Sequence, residues 1–511
     1  MCESVDLLKE QRHNILYLLY YFILYAIVYG YMCLREGLAV EEALYFREYY
    51  GVLLSNGRWG IQLFRYLTDT CNYLPYAAGI LGGIFISGAI FTQISILEIK
   101  SATGKFIYAG MYMGCVQWTY QLRYSNQSHA VALGLLLASL AIYLLIKTRG
   151  WRSLILASFL LCFAISTYQT VGVYAMVFMV AAMLQRNLSD ASADIIVPMA
   201  KAAAGFMFAI LLYYCIHKTA NALIDVPQNT QRFVQEYQNN MIGWKEIVKH
   251  GHGGIIHHFI LRAIKSPIYN ITGQNYPGQW VMTSALVPAV LLIVHSLRKY
   301  SLFRTCINSL LIFAIFYLPF SADLLLGYGI GVRSQLADAL PAATIWSISF
   351  SRLPWCKFRI VQWSVVFLTL YVCIFASCKV AEIGRDEQWS LNRGKDELII
   401  MYVRGQQLAL NSGMKDCRIV LLGSPRSLPD HMYKVKQTGF MEDEALPDLL
   451  RAPDWATRYA RFFRLPRLQG GTPEDMEKHL EVFQRMPIWP VDGSVRVNKD
   501  EVIIKIGPLS K

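Results

Sequence analysis

Apolar runs of roughly 20 residues, the length that crosses a bilayer's hydrocarbon core as a helix, recur from Leu16 to the region of Cys378. Short polar or charged connections separate them. Windows of roughly 19 residues predict about eleven spans, centred near Tyr25, Phe85, Met113, Ala138, Leu160, Phe178, Phe208, Pro288, Ala314, Ile345 and Phe367. After Cys378 the pattern changes. Glu387 to Leu410 has helical spacing, and Arg418 to Leu422 is a short β-branched run closed by Gly423. Thr472-Pro473-Glu474-Asp475 carries a helix cap followed by proline at the first helical position. Ser494 to Ile506 reads as two strands around Asn498-Lys499-Asp500. The expected fold is mainly α and polytopic. Residues 1–380 form the membrane part, with a first outer loop at 36–72 and a long outer loop at 218–279, and residues 381–511 form a small C-terminal α/β domain.

Composition agrees with this reading. The chain is 55% hydrophobic and only 16% charged, which excludes a soluble globular protein of 511 residues. The net charge of +13 suggests nucleic acid at first sight, but the cations fall between spans in a pattern. Lys100 with Lys105, Lys147 with Arg149 and Arg152, Arg186 with Lys201, Arg298 with Lys299 and Arg304, and Arg352 with Lys357 and Arg359 occupy alternate connections. The positive-inside rule turns these toward the cytoplasm and makes membrane lipids, not nucleic acid, the expected surroundings. The remaining connections then face outward, toward the periplasm of a bacterium. An odd number of spans puts the N-terminus in the cytoplasm and the C-terminal domain in the periplasm, as in a multi-pass protein of the bacterial inner membrane. The first apolar run, from about Asn14 to Cys33, is too long for a signal-peptide core and reads as a retained span. Cys33, Cys115, Cys162, Cys215, Cys306 and Cys373 lie inside apolar runs without ligand spacing and read as small buried residues.

Candidate chemistry concentrates in the outward connections. Val40 to Ser55 mixes apolar residues with Tyr45, Tyr49 and Tyr50, the composition of a helix lying in the membrane interface, and Asn56-Gly57 ends it. In a second short helix Arg58, Gln62, Arg65 and Asp69 share one face at steps of three or four. Such a loop brings the carboxylates of Glu41 and Glu42 and the guanidiniums of Arg58 and Arg65 to the outer bilayer surface. Partial desolvation there raises a carboxylate's pKa toward the range of a general base, and arginine's fork of donors suits a phosphate. A base beside a phosphate grip at the lipid surface fits a reaction on a lipid-linked phosphate; solvated charges on an interfacial helix are the plain alternative. Tyr168 and Gln169, at the end of a span, suit a sugar hydroxyl or the phosphate, or simply pack helices. Arg262 and Lys265, before Pro267, suit anionic headgroups or the donor phosphate. Arg333, after the flexible Gly327–Gly331 stretch, suits a second phosphate ligand or an interface anchor. Trp118, Tyr120 and Arg123 with Tyr124 suit stacking on sugar rings, but read rather as an aromatic belt.

Glu41-Glu42-Ala43-Leu44-Tyr45 followed by Gly57-Arg58-Trp59 resembles the first-outer-loop signature of GT-C membrane glycosyltransferases. Asn56-Gly57-Arg58-Trp59, Ser166-Thr167-Tyr168-Gln169 and Arg333 more narrowly resemble the polytopic glucosyltransferases of phage-encoded O-antigen serotype conversion. The similarity covers most of the membrane part and is weakest in the tail. It implies a GT-C-like bundle that moves a sugar, commonly glucose, from a polyprenyl-phosphate donor to a surface polysaccharide such as O-antigen in lipopolysaccharide, with a donor synthase and a flippase in the same pathway. By position Glu41 corresponds to the first acid of the pair, usually aspartate in the superfamily, which acts on the acceptor hydroxyl. Glutamate here leaves open which of Glu41 and Glu42 takes the proton.

No metal or other cofactor is expected. His250, His252, His257 and His258 are never three or four apart, and Gly251, Gly253 and Gly254 interrupt any helix between them. Two rivals stay open: a polytopic flippase or transporter of lipid-linked sugars, and an O-antigen polymerase or ligase. Transporters place their charges at mid-membrane and show paired halves, and no halves are found here.

Overall fold

The computed structural model describes residues 2–34, 50–70, 75–122, 124, 127–148, 150–189, 195–224, 264, 268, 280–321, 335–414, 417–423, 457, 460, 464–498 and 500–507. The described residues divide into two compact units, one up to Glu382 and the other from Ile383 onward.

The helices of the first unit are α1 (Cys2–Leu34), α2 (Tyr50–Ser55), α3 (Trp59–Leu67), α4 (Pro75–Ile96), α5 (Ala102–Met113), α6 (Trp118–Leu122), α7 (Ser128–Lys147), α8 (Trp151–Thr167), α9 (Thr170–Ser189), α10 (Ile196–Leu223), α11 (Trp280–Ser284), α12 (Leu286–Lys299), α13 (Leu302–Tyr317) and α14 (Ala339–Arg352). α15 (Arg359–Asn411) begins in the first unit and ends in the second. Among the described residues eight helices are long and apolar enough to cross a membrane: those over 12–34, 76–96, 128–147, 170–189, 196–223, 280–299, 302–320 and 359–385. The protein is thus mainly α and polytopic. Three of the windows expected to be spans prove shorter. α8 has 17 residues, and α5 and α14, which correspond to the windows near Met113 and Ile345, have 12 and 14. Hydropathy averages over a window and does not see where a helix stops. α5 and α14 pack on each other, and most of their residues are buried on every side.

The cationic connections meet on one face. Lys147 pairs with Glu98 across the ends of α7 and α4, holding the Glu98 carboxyl below its ordinary range. Lys201 Nζ donates to the Thr148 carbonyl at 2.8 Å and to Ser153 Oγ at 3.0 Å. Arg304 donates to the Asn187 carbonyl, and Arg352 donates to Ser189 Oγ. Lys105 lies 3.8 Å from the centre of the Tyr17 ring.

Between this face and the opposite one, polar side chains tie the helices inside the bundle. Gln93 Nε2 donates to Ser139 Oγ at 2.9 Å and to the Tyr174 hydroxyl, and its Oε1 accepts from the Tyr108 hydroxyl at 2.7 Å. The Tyr112 and Tyr174 hydroxyls are 2.9 Å apart. Where apolar contact with lipid distinguishes no partner, such bonds join one helix to another.

In the second unit the tail elements form where the capping and turn signals put them. β1 (Arg418–Leu422) pairs in parallel with β2 (Leu468–Gly470) and β4 (Glu501–Lys505), and β3 (Val495–Asn498) pairs antiparallel with β4, giving the order β2-β1-β4-β3. Central β1 buries Ile419 to Leu422 on both faces, as a parallel strand requires. α16 (Pro473–Arg485) starts on a capping box: Thr472 Oγ1 accepts from the Asp475 N–H, and Asp475 Oδ2 accepts from the Thr472 N–H. Phe483 and Met486 pack with Val420, Leu422 and Ile503.

Candidate active site

From Tyr50 the first loop runs through α2 into a turn set by its sequence. Asn56 closes α2, and Gly57 adopts φ +74°, a conformation that costs a side chain about 1–2 kcal/mol. The Arg58 N–H donates to the Leu53 carbonyl at 2.7 Å and the Gly57 N–H to the Leu54 carbonyl at 2.9 Å, the paired bonds of a Schellman cap. The chain is thereby reversed into α3 within two residues.

That turn is pressed against the junction of α8 and α9. A Cβ on Gly60 would stand 2.2 Å from Ser166 Oγ and 3.0 Å from the Ser166 carbonyl carbon, so only glycine lets α3 approach so closely. Trp59 meets Phe163 edge-on at 5.9 Å. Gln169 Nε2 donates to the Asn56 carbonyl and lies 3.2 Å from the Tyr213 hydroxyl of α10. Above buried Tyr168, the Arg58 guanidinium sits 4.4 Å from the ring centre. A cation held over an aromatic face is worth about 0.5–2 kcal/mol, more as water is excluded. The indole N–H of Trp59, the residue after Arg58, and Oγ1 of Thr170, the residue after Gln169, are buried without hydrogen-bond partners. Arginine, indole and hydroxyl together offer donors to an anion.

Arg58, Tyr168 and Gln169 therefore come together, whereas Arg65 points elsewhere. It is buried at the far end of α3, with Nε 3.5 Å from the Thr70 carbonyl. Thr70 Oγ1 in turn lies 2.9 Å from His129 Nε2 at the start of α7. Leu63 and Leu67 of the same helix are exposed, as suits a helix beside lipid, while Ile61 and Phe64 pack inward with Leu53 and Ala130. Glu41, Glu42, Arg262, Lys265 and Arg333 lie outside the described residues, as do the four histidines between 250 and 258. Among the described residues no three metal-ligating side chains gather.

The family model for glucosyl transferase GtrII matches residues 41–347. The chain belongs to this family. No curated protein and no solved structure matches it. The GtrII match covers the turn at 56–60, the segment at 166–169 and Tyr213, so the contacts above join parts of one glucosyltransferase region.

Sequence reasoning missed Tyr213, His129 and Asp338. Tyr213 and His129 lie within apolar runs that gave no sign of facing a site. Asp338 stood as an acid at the edge of such a run, which is a functional signal in a membrane protein. Trp118, Tyr120 and Tyr124, expected as an aromatic belt, are instead buried, because α5 stops early and the chain after it turns into the protein.

Proposed function

We infer that this GtrII-family glucosyltransferase takes glucose from a polyprenyl-phosphate donor and attaches it to a hydroxyl of a periplasmic polysaccharide such as O-antigen, with inversion at the anomeric carbon. The reading is supported above all by one observation: the Arg58 turn is clamped onto Tyr168 and Gln169, with the guanidinium held over the Tyr168 ring.

In this account Arg58 grips the donor phosphate, with Arg333, Arg262 or Lys265 as further cations. Glu41 or Glu42 takes the proton of the acceptor hydroxyl as its oxygen bonds to the anomeric carbon. The bond from that carbon to the phosphate oxygen breaks, and its electron pair leaves with the phosphate. The phosphate departs as a stabilised anion, so the cations supply the charge stabilisation and no general acid is needed. The isoprenoid tail lies along apolar helix surfaces in the bilayer. The cation-bearing face is assigned to the cytoplasm by the positive-inside rule, which places the Arg58 turn on the periplasmic side of an inner-membrane protein.

The test is transfer itself. The full chain in lipid vesicles, given polyprenyl-phosphate glucose and O-polysaccharide, forms a glucosylated product; movement of the lipid without transfer speaks for a flippase instead.

A further inference from the structure

A second set of polar side chains lies deeper in the first unit. Gln117, Thr119, Gln121 and Asp338 are each no more than 4% exposed. Gln117 Nε2 donates to Asp338 Oδ2, and Gln117 Oε1 accepts from the Cys115 thiol. By contrast both amide atoms of Gln121 and the hydroxyl of Thr119 have no hydrogen-bond partner. Each such buried group costs about 1–3 kcal/mol, and native proteins hold few of them. Thr119 and Gln121 lie within α6, and Gln117 immediately precedes it.

The short helices explain why polar groups sit here. At 1.5 Å per residue α5 and α14 extend about 18 and 21 Å, less than a hydrocarbon core of about 30 Å. Each therefore ends at depth. Non-helical backbone follows α5 at Gly114–Gln117, and the 3-10 turn Leu336–Asp338 precedes α14. Irregular backbone inside a membrane is found where protein buries it or where it lines a cavity, and an acid there marks a substrate path.

α9 and α14 run in the same direction, with their last turns tied by Arg352 and Ser189, and α9 packs on the Leu336–Asp338 turn. α9 has 20 residues against 14 in α14, so Ala339, the residue after Asp338, lies about 9 Å deeper than Thr170, the residue after Gln169.

We propose that Gln117, Thr119, Gln121 and Asp338 form a subsite for the hydroxyls of a sugar ring, below the phosphate grip of Arg58. An amide both donates and accepts, a hydroxyl does either, and a carboxylate accepts; this combination fits adjacent hydroxyls better than it fits an anion or an apolar chain. The subsite rests on the transferase reading, which supplies two sugars of this chemistry, the donor glucose and the acceptor residue.

The test uses the full chain in lipid nanodiscs, with Gln121→Leu and Asp338→Asn. The KM for polyprenyl-phosphate glucose and for O-polysaccharide is measured with the thermal midpoint of each variant. Gln121→Leu is expected to raise one KM at least tenfold while its midpoint equals or exceeds that of the wild type, because an unpaired buried amide has been removed. A raised donor KM assigns the subsite to the donor glucose, and a raised acceptor KM to the acceptor sugar. Wild-type KM values for both substrates overturn the proposal. If Asp338→Asn does not fold, Gln121→Leu decides alone. If the wild type transfers nothing, the transferase reading fails separately. The subsite is then judged by whether polyprenyl-phosphate glucose or methyl glucoside raises the midpoint of the wild type more than that of Gln121→Leu; no difference overturns it.

Discussion

The guanidinium of Arg58 stands 4.4 Å from the ring centre of Tyr168, which joins the turn after α2 to the junction of α8 and α9, 110 positions later (168 − 58). The ring presents its negative face to the cation and holds it over the turn. Arg58→Ala is therefore expected to raise the KM for polyprenyl-phosphate glucose by tenfold or more. Tyr168→Leu, which removes only the ring face, should cost up to about tenfold, in line with about 1 kcal/mol for the pair. Tyr168→Phe keeps the face and should stay near wild type. Initial rates across a range of donor concentrations check all three.

Gly60 decides whether that turn seats at all. Gly60→Val places two further methyl groups where Ser166 backbone already lies within 3.0 Å of a Cβ. Overpacking of this kind costs about 1–3 kcal/mol. A lower thermal midpoint and reduced transfer are expected together, whereas Gly30→Ala, in the helical backbone of α1 with nothing within 4 Å, should leave transfer unchanged.

Inside the bundle, Gln93 joins Ser139, Tyr108 and Tyr174. Gln93→Leu removes three bonds, each worth about 0.6 kcal/mol in a membrane interior, and leaves their partners short of a bond. The expected result is a midpoint drop corresponding to about 2 kcal/mol with the donor KM intact. A shifted KM at full stability would show that this network serves the site.

The tail offers a pH prediction. Burial pushes the Asp475 and Glu501 carboxyls up, but bonds from Arg418 and Thr472 to the first, and from Lys478, His479 and Arg418 to the second, outweigh it and hold both below their ordinary range. Arg418 grips Asp475 through two bonds of 2.7 and 2.8 Å, and buried His479 lies 2.7 Å from Glu501. A carboxylate depressed in the folded state adds stability that is present above its unfolded pKa and lost as pH falls through the folded value. Amide protection of Ile419–Leu421 and Val502–Ile504, corrected for intrinsic exchange, should thus be full at neutral pH and decline below about pH 4. Glu501→Gln should lower it at neutral pH and flatten the decline.

How much of this was legible in the sequence follows from the range of each signal. The tail was readable because its signals are local: Thr472 and Asp475 cap α16 three residues apart, and two strands flank Asn498-Lys499-Asp500. The long spans were readable from hydropathy. The short buried helices α5 and α14 were not, since an apolar window looks alike whether it crosses the bilayer or stops inside the protein. The turn at Asn56-Gly57 was visible, but its seat on Gln169, 113 positions away, depends on tertiary packing. The burial of Trp118 and the pairing of Gln117 with Asp338 belong to the same class, because nothing local sets them.

The central claim, a carboxylate at the first loop working beside the Arg58 grip, is tested most directly by a single-turnover assay. Polyprenyl-phosphate [14C]glucose and O-polysaccharide are mixed with wild type, Glu41→Gln and Glu42→Gln at equal folded concentration. Labelled polysaccharide should form with wild type, and one of the two substitutions should reduce its rate by a factor on the order of 100 or more while donor binding stays within about twofold. Wild-type rates in both variants and in the double variant would contradict the account.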